Sequence, residues 1–573
     1  MQFHTIIDGS HVQSEISDVT FDKYAQAVVA GLGTAGSIAF IKAAELGLDT
    51  VGIEKLSGMG GISTMGCVWD YFYGSSGGRF EDINRKNFAL DERAFLHSEP
   101  PSDSKDFRCY NGAARSIVLE EEAKKSGGRL MYETTVIGVY TEGRKIRGIK
   151  CASPDGIFTV GAEVFLDCTG DISLCRMAGL EYKTGRDYDG RCMRFSKTLV
   201  AIKDDLARGG WTMKGNRENK SDLELSKLIL KCSSMTPFLE DNYSEDYRLV
   251  YEGTILGLRE SPRICAKTEL KLQDVLFGKK TEKPLFYTFA PIDNVNRDAA
   301  FNSETQQLWR MVCKMYSVGL SIGVPIEALL PKECDNVIVA GKGTGTDCDL
   351  AAGIRMRKDL EKCGEAAATA AYLSVRENTE LSRVDYETLA AMLRESGCLD
   401  EANNIGIAAI SGGMHREKLE VPQTPAEIRA NLTTSYFGLG VLEVIKNDSE
   451  EVRDMLRACL ASDDKLLRER AAFAGGAIGL CGALPVLIEM TKREPDYIPK
   501  RPAFCSVISG AVYLLRKFDS EEARQRLEEI AQEYAYATEY DEYTSSRETE
   551  MAYLLKNLAV IGLEQMKKQQ RGE

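Results

Sequence analysis

The hydrophobic pattern is clearest between Lys23 and Lys55. A short apolar run, Ala27–Ala30, stops at Gly31, and glycines follow at Gly33 and Gly36. Beyond them Ile38, Phe40 and Ile41 give a helical apolar stripe that ends at Gly47, and a second short run, Thr50–Ile53, ends on Glu54 and Lys55. Strand, tight turn, helix and strand are therefore predicted in that order. Further on, Asp106–Gly127 reads as a helix stopped by the pair Gly127 and Gly128. Three runs of strand character follow, RLMYETTVIGVYTE, KIRGIKCAS and GIFTVGAEVFLDCTG, the last carrying alternating apolar residues into Thr169 and Gly170. From about Leu381 the pattern becomes helix after helix. Units that start near Ile428, Arg468, Phe504 and Arg547 recur at a spacing close to that of HEAT-type helical pairs, with an irregular helical domain as the alternative.

The glycines carry chemistry because of where they stand. In the order strand, GxGxxG, helix, strand, acid, Gly31 permits the turn, Gly33 lets backbone approach a diphosphate, and Gly36 lets the helix lie against the sheet. The first NH groups of the helix then face the phosphate charge, and Glu54 is placed for the adenosine ribose hydroxyls. After Lys55 comes a second glycine-rich stretch with Gly58, Gly60, Gly61, Thr64 and Gly66. It brings more backbone NH groups towards a second phosphate or a ribityl chain, which favours FAD over NAD.

The whole chain has 573 residues, enough for two or three domains. A net charge of −14 argues against nucleic acid or an anionic membrane as partner. The sixteen cysteines form no CxxC pair, and the four histidines have no metal-ligand spacing, so no metal site and a reducing, cytoplasmic setting are expected. Ala471–Ile488 lacks charge over the length of a membrane span, but Gly482 and Pro485 interrupt it, and it reads as two buried helices joined by a turn. His97 lies in the polar run LHSEPPSDSKD and reads as a loop histidine.

Four segments, in order, carry a resemblance. VFLDCTGDISLCRMAGL (Val164–Leu180), GLRESPRICAKTELKLQDV (Gly257–Val275), GVPIEALLPKECDNVIVAGKG (Gly323–Gly343) and RMRKDLEKCGEAAATAAYL (Arg355–Leu373) together resemble the FAD-dependent oxidoreductase family of the glutathione-reductase-like group. The resemblance covers the first two thirds of the chain. It implies an α/β fold, with a glutathione-reductase-like FAD-binding Rossmann-type domain (21–180 and 320–380) into which an α+β substrate domain (181–319) is inserted. An N-terminal extension (1–20) precedes this domain, and an all-α, HEAT-like domain (381–573) follows it.

Position by position, the resemblance assigns Gly31, Gly33, Gly36, Glu54 and the adjoining Lys55 to the adenosine diphosphate half. It assigns Gly60, Gly61 and Thr64 to the pyrophosphate and ribityl chain, Val136 to the adenine, and Thr169, Gly170 and Asp171 to closure of the site. Gly341 ends the last strand, and Gly364 with Ala366 open a helix whose positive end faces the flavin. Arg259, Glu260 and Arg263 fall in the arginine-rich signature, either touching substrate or forming an ion pair that holds the insertion to the sheet. Two departures stand out: Pro262 occupies an arginine position, and Gly343–Gly353 lacks the usual histidine.

The reaction implied is hydride transfer between flavin N5 and a small polar substrate, hydroxylated or carbohydrate-like. The alternatives are a fumarate-reductase-like reduction of an activated double bond, and a non-catalytic flavin-fold scaffold. The helical region is expected to bind a protein partner or a second copy, or to pack on the flavin domain.

Overall fold

The computed structural model describes every residue except 18, 70–72, 95–110, 204–205, 217–221, 233–247, 295–296, 316–317, 412–414, 495–501, 541–544 and 572–573. His97 and the start of the helix expected over Asp106–Gly127 lie outside the described residues. The chain divides into two compact units. One comprises Met1–Lys271, Lys280–Asn294 and Val318–Lys418, and the other Leu272–Lys279, Val295–Ser317 and Leu419–Glu573.

The first unit is built on a large sheet. Its strands are β1 (Gln2–Ile7), β2 (Ser10–Glu15), β3 (Lys23–Ala30), β4 (Thr50–Ile53), β5 (Arg129–Met131), β6 (Thr135–Glu142), β7 (Lys145–Ser153) and β8 (Gly156–Asp167), in the spatial order β2-β1-β6-β7-β8-β3-β4-β5. β5, β4, β3 and β8 run parallel, as helical crossovers require. The twelve-residue β8 serves two purposes. Its first half pairs antiparallel with β7, while its last residues, Phe165–Asp167, take the short strand Val337–Val339 in parallel on that same side. Thus a meander and a Rossmann-like parallel sheet share one strand. Val28 and Val29 in β3 are completely buried, which explains an apolar run without polar alternation.

The helix Thr34–Glu45 covers this sheet, and the twenty-residue helix Arg357–Arg376 packs along it. A methyl group at Gly364 would overlap the Ala35 carbonyl, so glycine sets the separation of these two helices. Gly364 and Ala366 do not open the helix, as the family resemblance implied. It starts at Arg357 after Met356, because RKDLEKC is itself a good helix-forming run, so both residues sit buried in its middle.

Two boundaries run differently from expectation. Residues 1–20 include the β1–β2 hairpin, which extends the sheet by pairing with β6, because β1 finds an open strand edge there. Residues 381–418 belong to the first unit. The strand Ile407–Ser411 pairs with Val318–Pro325, and the Tyr386 hydroxyl donates to the Pro284 carbonyl at 3.1 Å. Ile407–Ser411 also pairs antiparallel with the neighbouring strand His415–Lys418, a short local pairing that the helix-rich pattern around it conceals.

Strands Arg194–Lys203, Leu206–Asn216 and Arg248–Glu252 form a separate antiparallel sheet within the first unit.

The described elements of the second unit are helical, and from Glu450 onward each main helix packs on the next. The uncharged stretch near Ala471 resolves into helices Lys465–Ala477 and Leu484–Thr491 with a single 3-10 turn between them, and Pro485 sits in the first turn of the second. Among the described residues, no helix is long and apolar enough to cross a membrane.

Candidate functional site

Strands β3, β8 and Val337–Val339 end level with one another: Ala30 and Val339 both lie opposite Asp167, and Ile53 of β4 lies opposite Ala30. Their carboxyl ends therefore open onto a common edge, the usual ligand position in sheets of this kind. Gly31 leaves β3 at φ 84, donating its NH to the Ile53 carbonyl at 2.7 Å. A methyl on Gly36 would overlap the Gly31 carbonyl, so this glycine is what lets the helix sit against the turn. Gly33 precedes the helix and gives it no side-chain cap, and the first turn has no acidic residue. The leading NH groups and the positive helix end are thus left for an external acceptor.

The second glycine-rich segment is fastened onto the first. The Gly60 NH donates to the Leu32 carbonyl and to Ser37 Oγ, both at 2.9 Å. Ser37 Oγ also lies 2.6 and 2.8 Å from the carbonyls of Leu32 and Gly33. A methyl on Gly61 would come within 2.9 Å of Gly33 Cα. Sequence reasoning missed Ser37; its signal is a buried hydroxyl inside an otherwise apolar helix face. Thr64 points inward, its hydroxyl donating to the Met59 carbonyl at 2.6 Å, so it shapes the loop.

Glu54 follows β4 and is buried. Its Oε2 accepts the Leu32 NH at 2.7 Å and its Oε1 the Leu56 NH at 3.0 Å. Burial raises its pKa, partly offset by these two NH donors. The Leu32 bond holds the carboxylate against the loop that begins with Gly31. Lys55, next to it, is exposed. Val136 is buried in β6, two residues after Thr134, whose NH bonds the Glu54 carbonyl at 3.0 Å.

The turn after β8 is organised by an acid that sequence reasoning also passed over. Asp167 is 1% exposed. It accepts the Thr169 NH at 3.2 Å, the Thr169 hydroxyl at 2.7 Å and the Cys175 NH at 3.1 Å. Burial pushes its pKa upward. Its signal is an acid that ends an otherwise apolar strand. Thr169 Oγ1 in turn accepts the Ser173 NH at 2.7 Å, and Asp171 accepts the Ser173 hydroxyl at 2.6 Å.

Around each of Gly33, Gly170 and Gly341 an added methyl would meet no atom within 4 Å. One glycine after each of three neighbouring strands therefore faces open space, which is the shape a dinucleotide lying across the sheet edge requires. Gly31, Gly36, Gly60, Gly61 and Glu54 shape this edge, and Thr169–Asp171 form part of it.

The arginine-rich signature is of another kind. Glu260 and Arg263 form a buried ion pair. Arg263 also donates to the carbonyls of Thr346 at 3.2 Å and Gly185 at 3.1 Å, and Glu260 accepts the Met193 NH at 2.8 Å. The pair ties the segments near 185, 193 and 346 together, the ion-pair alternative among the sequence expectations. Arg259 is half-buried and donates to the Arg194 carbonyl at 2.9 Å.

Fold and site together define a nucleotide-binding protein with a Rossmann-like sheet. The sequence profile described as FAD dependent oxidoreductase matches residues 26–229 and 231–393, and the chain belongs to that family. No curated protein matches. Among solved structures, a geranylgeranyl bacteriochlorophyll reductase-like protein from Thermoplasma acidophilum is similar at 14% identity, with a TM-score of 0.36, over 79% of this chain and 99% of that one. An anhydrotetracycline hydroxylase from Streptomyces rimosus is similar at 10% identity and a TM-score of 0.33, over 79% and 76%. The p-nitrophenol 4-monooxygenase from Pseudomonas putida DLL-E4 is similar at 11% identity and a TM-score of 0.30, over 82% and 97%. Similarity at this level carries no argument about substrate.

Proposed function

We propose that this chain transfers a hydride between FAD and a small polar organic substrate, with the dinucleotide lying along the carboxyl edge of β3, β8 and Val337–Val339. The observation that carries the reading is the set of three open glycines, Gly33, Gly170 and Gly341, beside a helix start with no cap of its own. FAD, when bound, supplies a hydride acceptor or donor at N5. The chain's part is to hold and orient it. The NH groups that open the helix after Gly33 offset diphosphate charge, Glu54 is an acceptor for ribose hydroxyls, and Gly60 and Gly61 keep the second loop low enough for backbone contact.

The finer fold reading is a glutathione-reductase-like arrangement. It is supported by the meander β6–β8, which leaves the parallel sheet after β5 and returns to it through β8. Residues from 181 onward, including the sheet around Arg194–Lys203, form the substrate part, and Glu260 with Arg263 position it. Arg259, the least buried of the three, is the one available to substrate. The described cysteines are free thiols, which supports a reducing, cytoplasmic setting. The helical second unit offers a surface for a protein partner or a second copy.

The test is the absorption spectrum of the purified protein after reconstitution with excess FAD. A flavin band that stays with the protein through gel filtration, and bleaches anaerobically with a substrate from a panel of small polar metabolites, is the expected result. Protein that remains folded yet retains no flavin overturns the reading.

A further inference from the structure

The β1–β2 hairpin carries two of the four histidines, and the two touch. β1 lies along the edge of β6 through three register pairs, Gln2 with Thr141, Phe3 with Tyr140 and His4 with Val139. His4 stands opposite Gln13 and Ile6 opposite His11, so the imidazoles are diagonal neighbours on one face of the hairpin. Their ring centroids lie 5.3 Å apart with the planes at 24°, and His4 Nδ1 is 3.1 Å from His11 Nε2. His4 Nε2 is 2.8 Å from Thr141 Oγ1 on β6. One hydrogen-bonded chain therefore runs from β2 through β1 to β6.

The geometry limits how many protons this chain holds. An imidazole nitrogen accepts when bare and donates when protonated. With both rings neutral, or with one proton added to the pair, a single hydrogen sits between His4 Nδ1 and His11 Nε2, and the Thr141 hydroxyl serves either tautomer of His4. With both rings protonated, two N–H groups face each other across 3.1 Å and two positive charges meet. His4 is 4% exposed, so little water reaches it to replace the lost bond. Burial, and after it the neighbouring His11, lowers the His4 pKa.

The surroundings offer no counter-charge for the second proton. On β6, Glu142 pairs with Arg147 at 2.8 Å, and burial raises the Tyr140 pKa, which keeps that phenol neutral. On β7 the Lys150 ammonium lies over the Phe3 ring at 5.3 Å. In the helix Ser173–Met177, Arg176 pairs with Asp171 at 3.4 Å, and Glu181 beyond it is exposed. On the hairpin itself Asp8 and Glu15 are exposed, and the Met1 amine donates to the Ile16 carbonyl at 3.3 Å. Of all these groups, the one whose charge acts on His4 is His11. A methyl on Gly179 would come within 2.8 Å of the His11 ring, so that ring is also seated against the turn that follows the helix Ser173–Met177.

We propose that the β1–β2 hairpin is an acid-released strap: the His4–His11 pair holds it on β6 with at most one added proton, and a second proton opens it. Release uncovers the β6 edge, whose backbone groups then lack a partner strand. The direction follows from the lowered His4 pKa: the contribution of the pair is complete above the ordinary histidine value of about 6.5 and is lost as the pH falls through the lowered native value. The proposal does not rest on the oxidoreductase reading.

The test is amide hydrogen exchange of the full-length protein at pH 7.5 and 5.5, with rates corrected for the intrinsic pH dependence of exchange and the helix Thr34–Glu45 as internal reference. In wild type the protection of the β1 and β6 amides should fall about tenfold at pH 5.5, the effect of excluding one proton at one pH unit below the ordinary histidine value. The reference helix keeps its protection. In His11→Gln the hairpin should stay protected at pH 7.5 and lose about threefold or less at pH 5.5, because a neutral amide donates to or accepts from His4 in either protonation state. His11 is exposed, so this replacement leaves the core intact, and His11→Ala, which removes the second imidazole altogether, should flatten the pH response in the same way. The proposal is overturned if wild-type protection is equal at the two pH values, if both variants lose as much as wild type, or if the reference helix loses protection in step with the hairpin, which would be general acid unfolding.

Discussion

The carboxyl edge of the parallel sheet and the Glu260–Arg263 clamp are both marked by distinctive sequence motifs, yet the fold treats them in opposite ways. At the edge, Gly33, Gly170 and Gly341 face open space and a helix start lacks a cap. At the clamp, every contact described above for Glu260 and Arg263 is with the protein itself, and both side chains are buried. Pro262, which removes one cation from the signature, leaves this pair intact. A motif thus fixes residue types at a spacing, whereas what the residues touch depends on the surfaces the fold brings against them.

The largest effect expected from this contrast is at the clamp. Arg263→Ala strands a buried carboxylate and should lower unfolding free energy by about 3–5 kcal/mol, while joint replacement of Glu260 and Arg263 by Gln and Met should recover much of that loss. Urea denaturation of the three proteins measures it. If Arg263→Ala keeps wild-type stability and loses only turnover, the clamp is instead part of the chemistry.

Next in size is a pair within one motif. Gly36→Ala forces a methyl onto the Gly31 carbonyl and should cost about 2–3 kcal/mol of stability. Gly33→Ala meets no protein atom, so its stability should change by less than about 1 kcal/mol, while FAD affinity falls at least about tenfold. Thermal unfolding and flavin titration separate the two, and equal stability losses would remove the distinction between open and closed glycines.

The smallest effect is a pH slope. Burial raises the Asp167 pKa, so the native state favours its protonated form. Its stabilising contribution is complete below the ordinary carboxylate value of about 3.9 and is lost as the pH climbs through the raised value. Asp167→Asn should therefore gain on wild type as pH rises from 4 upward, and parallel stability curves for the two proteins would contradict the assignment.

Local order made much of this readable beforehand. The strand, glycine turn, helix and strand from Lys23 to Ile53 lie within about thirty residues, and each step has its own punctuation in glycine or in apolar period. The β6–β8 runs and the turn between Lys465–Ala477 and Leu484–Thr491 are readable for the same reason. Ile407–Ser411 was passed over although it pairs with the neighbouring His415–Lys418 as well as with Val318–Leu320, because the helical pattern around it dominates that stretch. Gly364 was misplaced because a glycine needed where two helices touch looks, in one dimension, like a glycine needed at a helix start.

By itself the sequence determined the nucleotide-binding unit, since turn, helix and acid follow from backbone sterics and apolar period over short distances. Tertiary structure alone decided which glycines face a void and which face a neighbour, and that Arg263 spends its guanidinium on Glu260. It also left the Ser196 and Thr198 hydroxyls buried without a hydrogen-bond partner among the described residues. The physical reason is that burial and hydrogen-bond satisfaction are properties of surfaces brought together from distant parts of the chain, and no local pattern encodes the far side of a contact.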